Sequence, residues 1–278
     1  MVAASTVGIV AGAGAVGWAT MVEPHWCEVT HRPLAMMNLP DALVGKRMIQ
    51  ISDLHIGRTD FDYLCRTIQM VNELRPDMIM LTGDYIDRAY PEAIEDVARV
   101  VGSLTLAPMA TVACLGNHDY GYRWSQLEVA DRVAGSLTDL GITVLRDEQI
   151  EVGGMNIFGM EDYWSIRHRP RRKLRVENES MANLCLCHNP DVCDKDVWGN
   201  FSGVVLSGHT HGGQCKPPFF GPPFLPVANY RYVSGFYDVG SGRTLYINRG
   251  LGHSLKARFN CRPEITVFTL ARASVPIC

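Results

Sequence analysis

The sequence predicts an α/β protein: two packed mixed β-sheets flanked by helices. Two observations carry this. Across residues 46–140, apolar runs of strand length alternate with stretches of helical periodicity, three times in succession. That alternation implies parallel strands joined by crossover helices. From Thr143 onward the apolar runs are short and separated by glycine-rich turns, which reads as a β-rich half. Two sheets packed face to face with helices outside bury both halves economically.

Taken in order, residues 46–52 form the first strand of the alternating half, with Asp53-Leu54-His55 at its carboxyl end. Leu64, Ile68, Val71 and Leu74 then recur at three and four, a helical stripe ended by Pro76. Residues 77–82 are a buried strand followed by Gly83-Asp84, and Pro91 opens a helix with Ile94, Val97 and Val101 on its apolar face. Residues 110–115 deliver Gly116-Asn117-His118-Asp119, and a helix over residues 125–140 stops at Gly141. Ligands in such sheets gather at the carboxyl ends of the strands, where these Asp, His and Asn residues fall.

In the second half, Gly153-Gly154 joins the strands around Ile150 and Ile157 as a hairpin. Residues 183–187 deliver His188, and the run ending at Ser207 delivers Gly208-His209-Thr210-His211-Gly212-Gly213. Strands at residues 232–237, 244–247 and 265–270 complete this half. Residues 23–40, broken by Pro24, Pro33 and Pro40, read as a linker.

The composition is ordinary for a globular chain of 278 residues, 47% hydrophobic and 20% charged. A net charge of -3 gives no electrostatic case for a nucleic-acid-binding surface. Nine cysteines without a C-x-x-C pair read as buried small hydrophobes in a reducing compartment. Residues 5–22 are uncharged and about 18 long, the lower limit for a membrane span. They fit a membrane anchor, an export remnant or a loose apolar arm. Arg32 after them would place the catalytic part on the cytoplasmic side if they insert.

The candidate ligands are Asp53, His55, Asp84, Asn117, His188, His209 and His211. Without thiolates, this donor set suits Mn, Fe, Zn or Co. Seven donors exceed one tetrahedral site but suit two divalent ions sharing a carboxylate, an arrangement fit for in-line displacement at phosphorus. A lone Asp-x-His or Gly-Asp is usually structural, whereas five such clusters, each closing an apolar strand, point to one centre.

In order, these blocks are Asp53-Leu54-His55, Gly83-Asp84, Gly116-Asn117-His118-Asp119, His188 and Gly208-His209-Thr210-His211. Their pattern resembles the calcineurin-like metallophosphoesterase superfamily over roughly residues 46–270. Within it, His188-Asn189-Pro190-Asp191 and Asn248-Arg249-Gly250-Leu251-Gly252 resemble the bacterial YaeI/YkuE phosphodiesterase group, related to UDP-2,3-diacylglucosamine pyrophosphatases of lipid A synthesis. The resemblance implies a four-layer αββα sandwich spanning residues 46–278, after an N-terminal segment and linker of residues 1–45. It implies one metal on Asp53, His55, Asp84 and His211 and another on Asp84, Asn117, His188 and His209, with manganese favoured. It implies a metal-bridging hydroxide as nucleophile and His118 as acid or phosphoryl stabiliser, oriented by Asp119. The substrate would be a lipid-linked or nucleotide-linked phosphoester. The alternatives are a broad phosphomonoesterase, a cyclic-nucleotide phosphodiesterase, and a non-catalytic metal-binding scaffold.

Three features stay outside that set. The basic run from Arg167 to Arg175 would clamp a second phosphate, contact anionic lipid, or form a solvated loop. The proline-rich residues 217–226 would rim the pocket, dock on a membrane, or pack on the domain. Gly250, Gly252, His253 and Arg258 read first as packing residues.

Overall fold

The computed structural model describes residues 14–87, 91–168 and 173–273. Twelve strands form two mixed sheets of six among the described residues. The strands are β1 (Glu28–Met36), β2 (Arg47–Ile51), β3 (Met78–Thr82), β4 (Ala110–Cys114), β5 (Thr143–Val144), β6 (Glu148–Val152), β7 (Met155–Gly159), β8 (Ala182–Leu186), β9 (Gly203–Ser207), β10 (Gly235–Asp238), β11 (Arg243–Ile247) and β12 (Glu264–Arg272). The first sheet has the order β1-β12-β2-β3-β4-β5 and the second β10-β11-β9-β8-β7-β6. Helices α1 (Phe61–Glu73), α2 (Pro91–Val101) and α3 (Leu127–Asp139) are the crossovers of the first sheet, and β2 to β5 run parallel as the alternation requires.

Side chains alternate across each strand and so build separate layers. On β3, Ile79 and Leu81 face the helices with Leu64, Ile68 and Val97. Met78 and Met80 face the second sheet, where Ile157, Leu184 and Leu206 meet them. The outer face of the second sheet, with Cys185 and Cys187, is closed by Val192, Trp198 and Phe201 around the 3-10 turn Pro190–Asp194. Gln50, buried between the sheets, donates through Nε2 to Thr82 Oγ1 (3.0 Å) and to the Ser207 carbonyl (2.9 Å). It ties β2, β3 and β9 together just below their carboxyl ends.

Local chemistry sets the ends of elements. The Asp60 side chain caps α1 by accepting from Tyr63 N at 2.7 Å. Gly153 and Gly154 both have positive φ, and Val152 pairs with Met155, the two-residue turn the hairpin needed.

Two sequence expectations differ from the fold. Residues 23–40 contain β1, an edge strand paired in parallel with β12 along its whole length. Its burial is irregular and only Leu34 and Met36 are fully covered, so it has no clean period. Pro33 is tolerated because an edge strand leaves one side without partners. Tyr232 lies outside a strand, and pairing there begins at Gly235. Of the apolar residues 5–22, those before Gly14 lie outside the described residues, and no helix among the described residues is long and apolar enough to cross a membrane.

Candidate metal centre

All five motif blocks meet at the carboxyl ends of β2, β3, β4, β8 and β9. Backbone bonds zip the loops: Asp53 N to Gly83 O (2.9 Å), His55 N to Asp84 O (3.1 Å) and Gly208 N to His188 O (3.0 Å). Leu54, fully buried against the helix layer, anchors the first loop between its two polar neighbours. Asp53, His55, Asp84, His209 and His211 all sit at positive φ, an uncommon conformation for such residues that the surrounding contacts must hold. The approach of the loops is close enough to require glycine. A Cβ on Gly116 would run into the Asp84 carboxylate, and one on Gly208 into Ser52 Oγ and Asp53.

The donor atoms fall into adjoining groups. Asp53, His55 and His211 bring ligand atoms within 4.8 Å of one another, as do Asp84, His188 and His209. Asp84 Oδ2 lies 3.1 Å from His188 Nε2 and 3.5 Å from His55 Nε2, so it stands between the groups. Asn117 is buried beside them in the same cavity, and its Oδ1 has no hydrogen-bond partner.

Outer contacts fix which ring nitrogen is free on His188 and His209. His188 Nδ1 donates to Thr82 O at 2.7 Å, which turns Nε2 inward. His209 Nε2 donates to Pro226 O at 2.7 Å, which turns Nδ1 inward. Those inward nitrogens face each other at 3.2 Å, and His55 Nε2 faces His211 Nε2 at 3.1 Å. Imidazole nitrogens paired at this range beside two carboxylates make a donor set that fits divalent cations.

Ionisation agrees with that chemistry. Burial holds His55 and His209 down to about 3 and His211 well below the usual imidazole range, which keeps them neutral, the form a metal ligand requires. Burial would raise the Asp84 carboxyl, but the imidazoles of His188, His118 and His55 override it and keep the group ionised. Burial would lower His188, yet adjacent Asp84 lifts it well above its ordinary value.

His118 adjoins these groups: it brings a ligand atom within 4.8 Å of His55 and Asp87, and its ring meets that of His55 edge-on at 4.7 Å. Its ring Nδ1 lies 2.9 Å from Asp87 Oδ1, and Asp87 is also paired with Arg58. The expected contact with Asp119 is not made. The Asp119 carboxylate instead accepts from the backbone N–H groups of Asp84, Tyr85, Ile86 and Gly116 at 2.8–3.2 Å. His118 and Asp119 lie in a 3-10 turn, His118–Tyr120, where successive side chains project about 120° apart. Asp87 was absent from the sequence-derived set, although its place three residues after Asp84 could have marked it. Trp124 and Trp164 were also absent. Their rings stack at 4.7 Å, and Trp164 meets His209 edge-on at 4.6 Å.

The centre forms the floor of a cavity of about 590 Å³, with Trp124, Trp164, Phe224 and Leu255 on its walls. Of the basic run, Arg169, Arg171 and Arg172 lie outside the described residues. Arg167 pairs with Glu161 (3.6 Å) and Lys173 with Asp196 (2.6 Å), and neither lines this cavity. Pro223, Phe224 and Pro226 place the proline-rich segment on the cavity rim. Buried Arg258 donates to the carbonyls of Arg249, Gly250, Gly252 and Cys261 at 2.6–3.2 Å, the packing role expected of it.

The two-sheet fold and the clustered oxygen and nitrogen donors define a metal-binding hydrolase of phosphoesters. Residues 46–213 match the family model described as calcineurin-like phosphoesterase, and the chain belongs to that family. It is 33% identical to the metallophosphoesterase YkuE of Bacillus subtilis (strain 168), covering 97% of this chain and 94% of that protein. It is 32% identical to phosphodiesterase YaeI of Escherichia coli (strain K12), covering 96% of each. It is 28% identical to the UDP-2,3-diacylglucosamine pyrophosphatase LpxG of Chlamydia muridarum (strain MoPn / Nigg), covering 90% of this chain and 91% of that protein.

Proposed function

We propose that this chain is a two-metal phosphodiesterase or pyrophosphatase, with manganese favoured, acting on a lipid-linked or nucleotide-linked phosphoester of the UDP-2,3-diacylglucosamine type. The observation that carries the reading is Asp84 Oδ2, within reach of both donor groups at one cavity floor. One ion would be held by Asp53, His55, Asp84 and His211, and the other by Asp84, Asn117, His188 and His209. Bound divalent ions would supply Lewis acidity and an activated water at neutral pH.

The chain's own residues do the remainder. His118, open to the cavity and not needed as a ligand, protonates the leaving oxygen or stabilises the phosphoryl group. Asp87 orients its ring, and Asp119 shapes the loop that carries Asp84. Trp124, Trp164, Phe224 and Leu255 offer aromatic and aliphatic surface to a substrate with a large apolar or planar part. The family's phosphodiesterase and pyrophosphatase members support a diester or pyrophosphate substrate. Association with a membrane would suit a lipid-linked one.

The test is hydrolysis of bis-p-nitrophenyl phosphate and of UDP-2,3-diacylglucosamine by manganese-loaded protein, beside His118→Ala. Turnover of both, lost in the variant with metal content retained, is expected. Metal binding without turnover of any phosphoester would overturn the reading in favour of a scaffold.

A further inference from the structure

Large apolar side chains in solvent are concentrated at one side of the cavity mouth. Phe219 is fully exposed, and Phe220 and Phe224 are 75% and 69% exposed. Leu255, 66% exposed, lines the cavity together with Phe224, whereas Phe219 and Phe220 stand outside it. A third part is the helical segment of residues 14–22, which exposes Val16, Met21 and Val22. Trp18 and Trp26, both partly exposed, meet edge to face at its foot, 5.7 Å between rings.

These segments are joined into one face. Arg258 N donates to Ala19 O at 2.8 Å, and Trp18 and Pro218 line a common cavity. Lys216 N donates to Phe259 O at 2.8 Å. Gln214, three residues after His211, donates to Leu255 O (2.8 Å) and accepts from Ser254 N (2.9 Å). The exposed apolar rim is therefore braced directly on the loop that carries His211.

Charge selects what covers this face. No Asp or Glu occurs between Gly203 and Tyr237 or between Arg249 and Pro263, stretches in which Lys216, Arg231 and Lys256 reach solvent, while Arg258 is buried and Arg249 and Arg262 are paired with Glu28. Residues 1–22 carry no charged side chain, so the uncharged sequence runs on beyond the described end of the face at Gly14. Aromatic and aliphatic tips beside Lys216 and Lys256, with Glu23 buried and Glu28 paired to Arg249 and Arg262, match the boundary between anionic headgroups and acyl chains.

We propose that this face docks on an anionic lipid bilayer and holds the cavity mouth at the membrane surface. The contact is interfacial for the described residues, none of whose helices is long and apolar enough to cross. The proposal deepens the hydrolase reading, resting on it only for the meaning of the cavity.

The test uses the full chain, Phe219→Ser/Phe220→Ser, and Lys256→Glu. Each is sedimented with vesicles of phosphatidylcholine alone or mixed with phosphatidylglycerol, and assayed in solution with bis-p-nitrophenyl phosphate. The wild type is expected on the phosphatidylglycerol vesicles. The double variant should partition at least about 100-fold less because two aromatic side chains no longer leave water. The Lys256→Glu chain should partition about fivefold less on the anionic vesicles, and both variants should hydrolyse the soluble diester as the wild type does. A wild type that stays in the supernatant, or a double variant that partitions equally, overturns the docking face. So does self-association of the wild type in place of partitioning. Vesicle binding without diester turnover would overturn the hydrolase reading and leave the face standing.

Discussion

His118 Nδ1 lies 2.9 Å from the Asp87 carboxylate, and this contact orients the one imidazole of the centre that opens to the cavity without being a proposed ligand. Burial would lower His118, but Asp84 and the Asp87 contact raise it above its usual range. Asp87→Asn keeps the shape and removes the charge. Its kcat on bis-p-nitrophenyl phosphate is expected to fall about 100-fold with metal content unchanged. Added to His118→Ala, it should cost little more, because the two act as one unit. An undiminished kcat would show that the pair has no part in turnover.

Asp119 behaves differently because its oxygens serve four backbone N–H groups. Asp119→Ala leaves those buried donors bare, at about 1–3 kcal/mol each before relaxation. The expected result is a lower melting temperature and loss of metal, rather than a selective fall in kcat. A stable, metal-replete and slow Asp119→Ala enzyme would return Asp119 to a role in the chemistry.

Gly208 leaves no space for a side chain beside Ser52 and Asp53. Gly208→Ala must shift the His209 loop or the Asp53 loop, at about 1–3 kcal/mol. Thermal melting and metal analysis should show lower stability and weaker metal retention, while Gly135→Ala, inside α3 with open space around its Cβ position, should leave metal retention unchanged and raise stability by about 0.5–1 kcal/mol.

Metal removal should loosen the whole carboxyl edge, because neutral His55, His209 and His211 and two carboxylates are held face to face there. Chelation is expected to lower the melting temperature. Manganese at about 100 times its Kd should restore about 2.7 kcal/mol per site. A melting temperature indifferent to chelator and metal would contradict the assignment of these residues as ligands.

Much of this arrangement was legible in the sequence. Each motif block follows an apolar run, and parallel strands with crossover helices deliver such blocks to one edge, so convergence of Asp53 and His209 followed from topology. What was hidden depended on side-chain direction. Asp119 adjoins His118 in sequence but projects elsewhere from its 3-10 turn, while Asp87 reaches His118 from another loop. The strand Glu28–Met36 was hidden because it joins the sheet through backbone pairing with β12, and its mixed side chains carry no period. The aromatic wall of Trp124 and Trp164 was hidden because nothing in local sequence brings those two loops together.

Sharing of Asp84 by two ions is read from the metal stoichiometry and low-temperature electron paramagnetic resonance spectrum of manganese-loaded protein, wild type against Asp84→Asn. Two manganese ions per chain with an exchange-coupled spectrum are expected, with loss of the coupling in the variant. One uncoupled ion in the wild type, or an unchanged coupled pair in Asp84→Asn, would contradict that sharing.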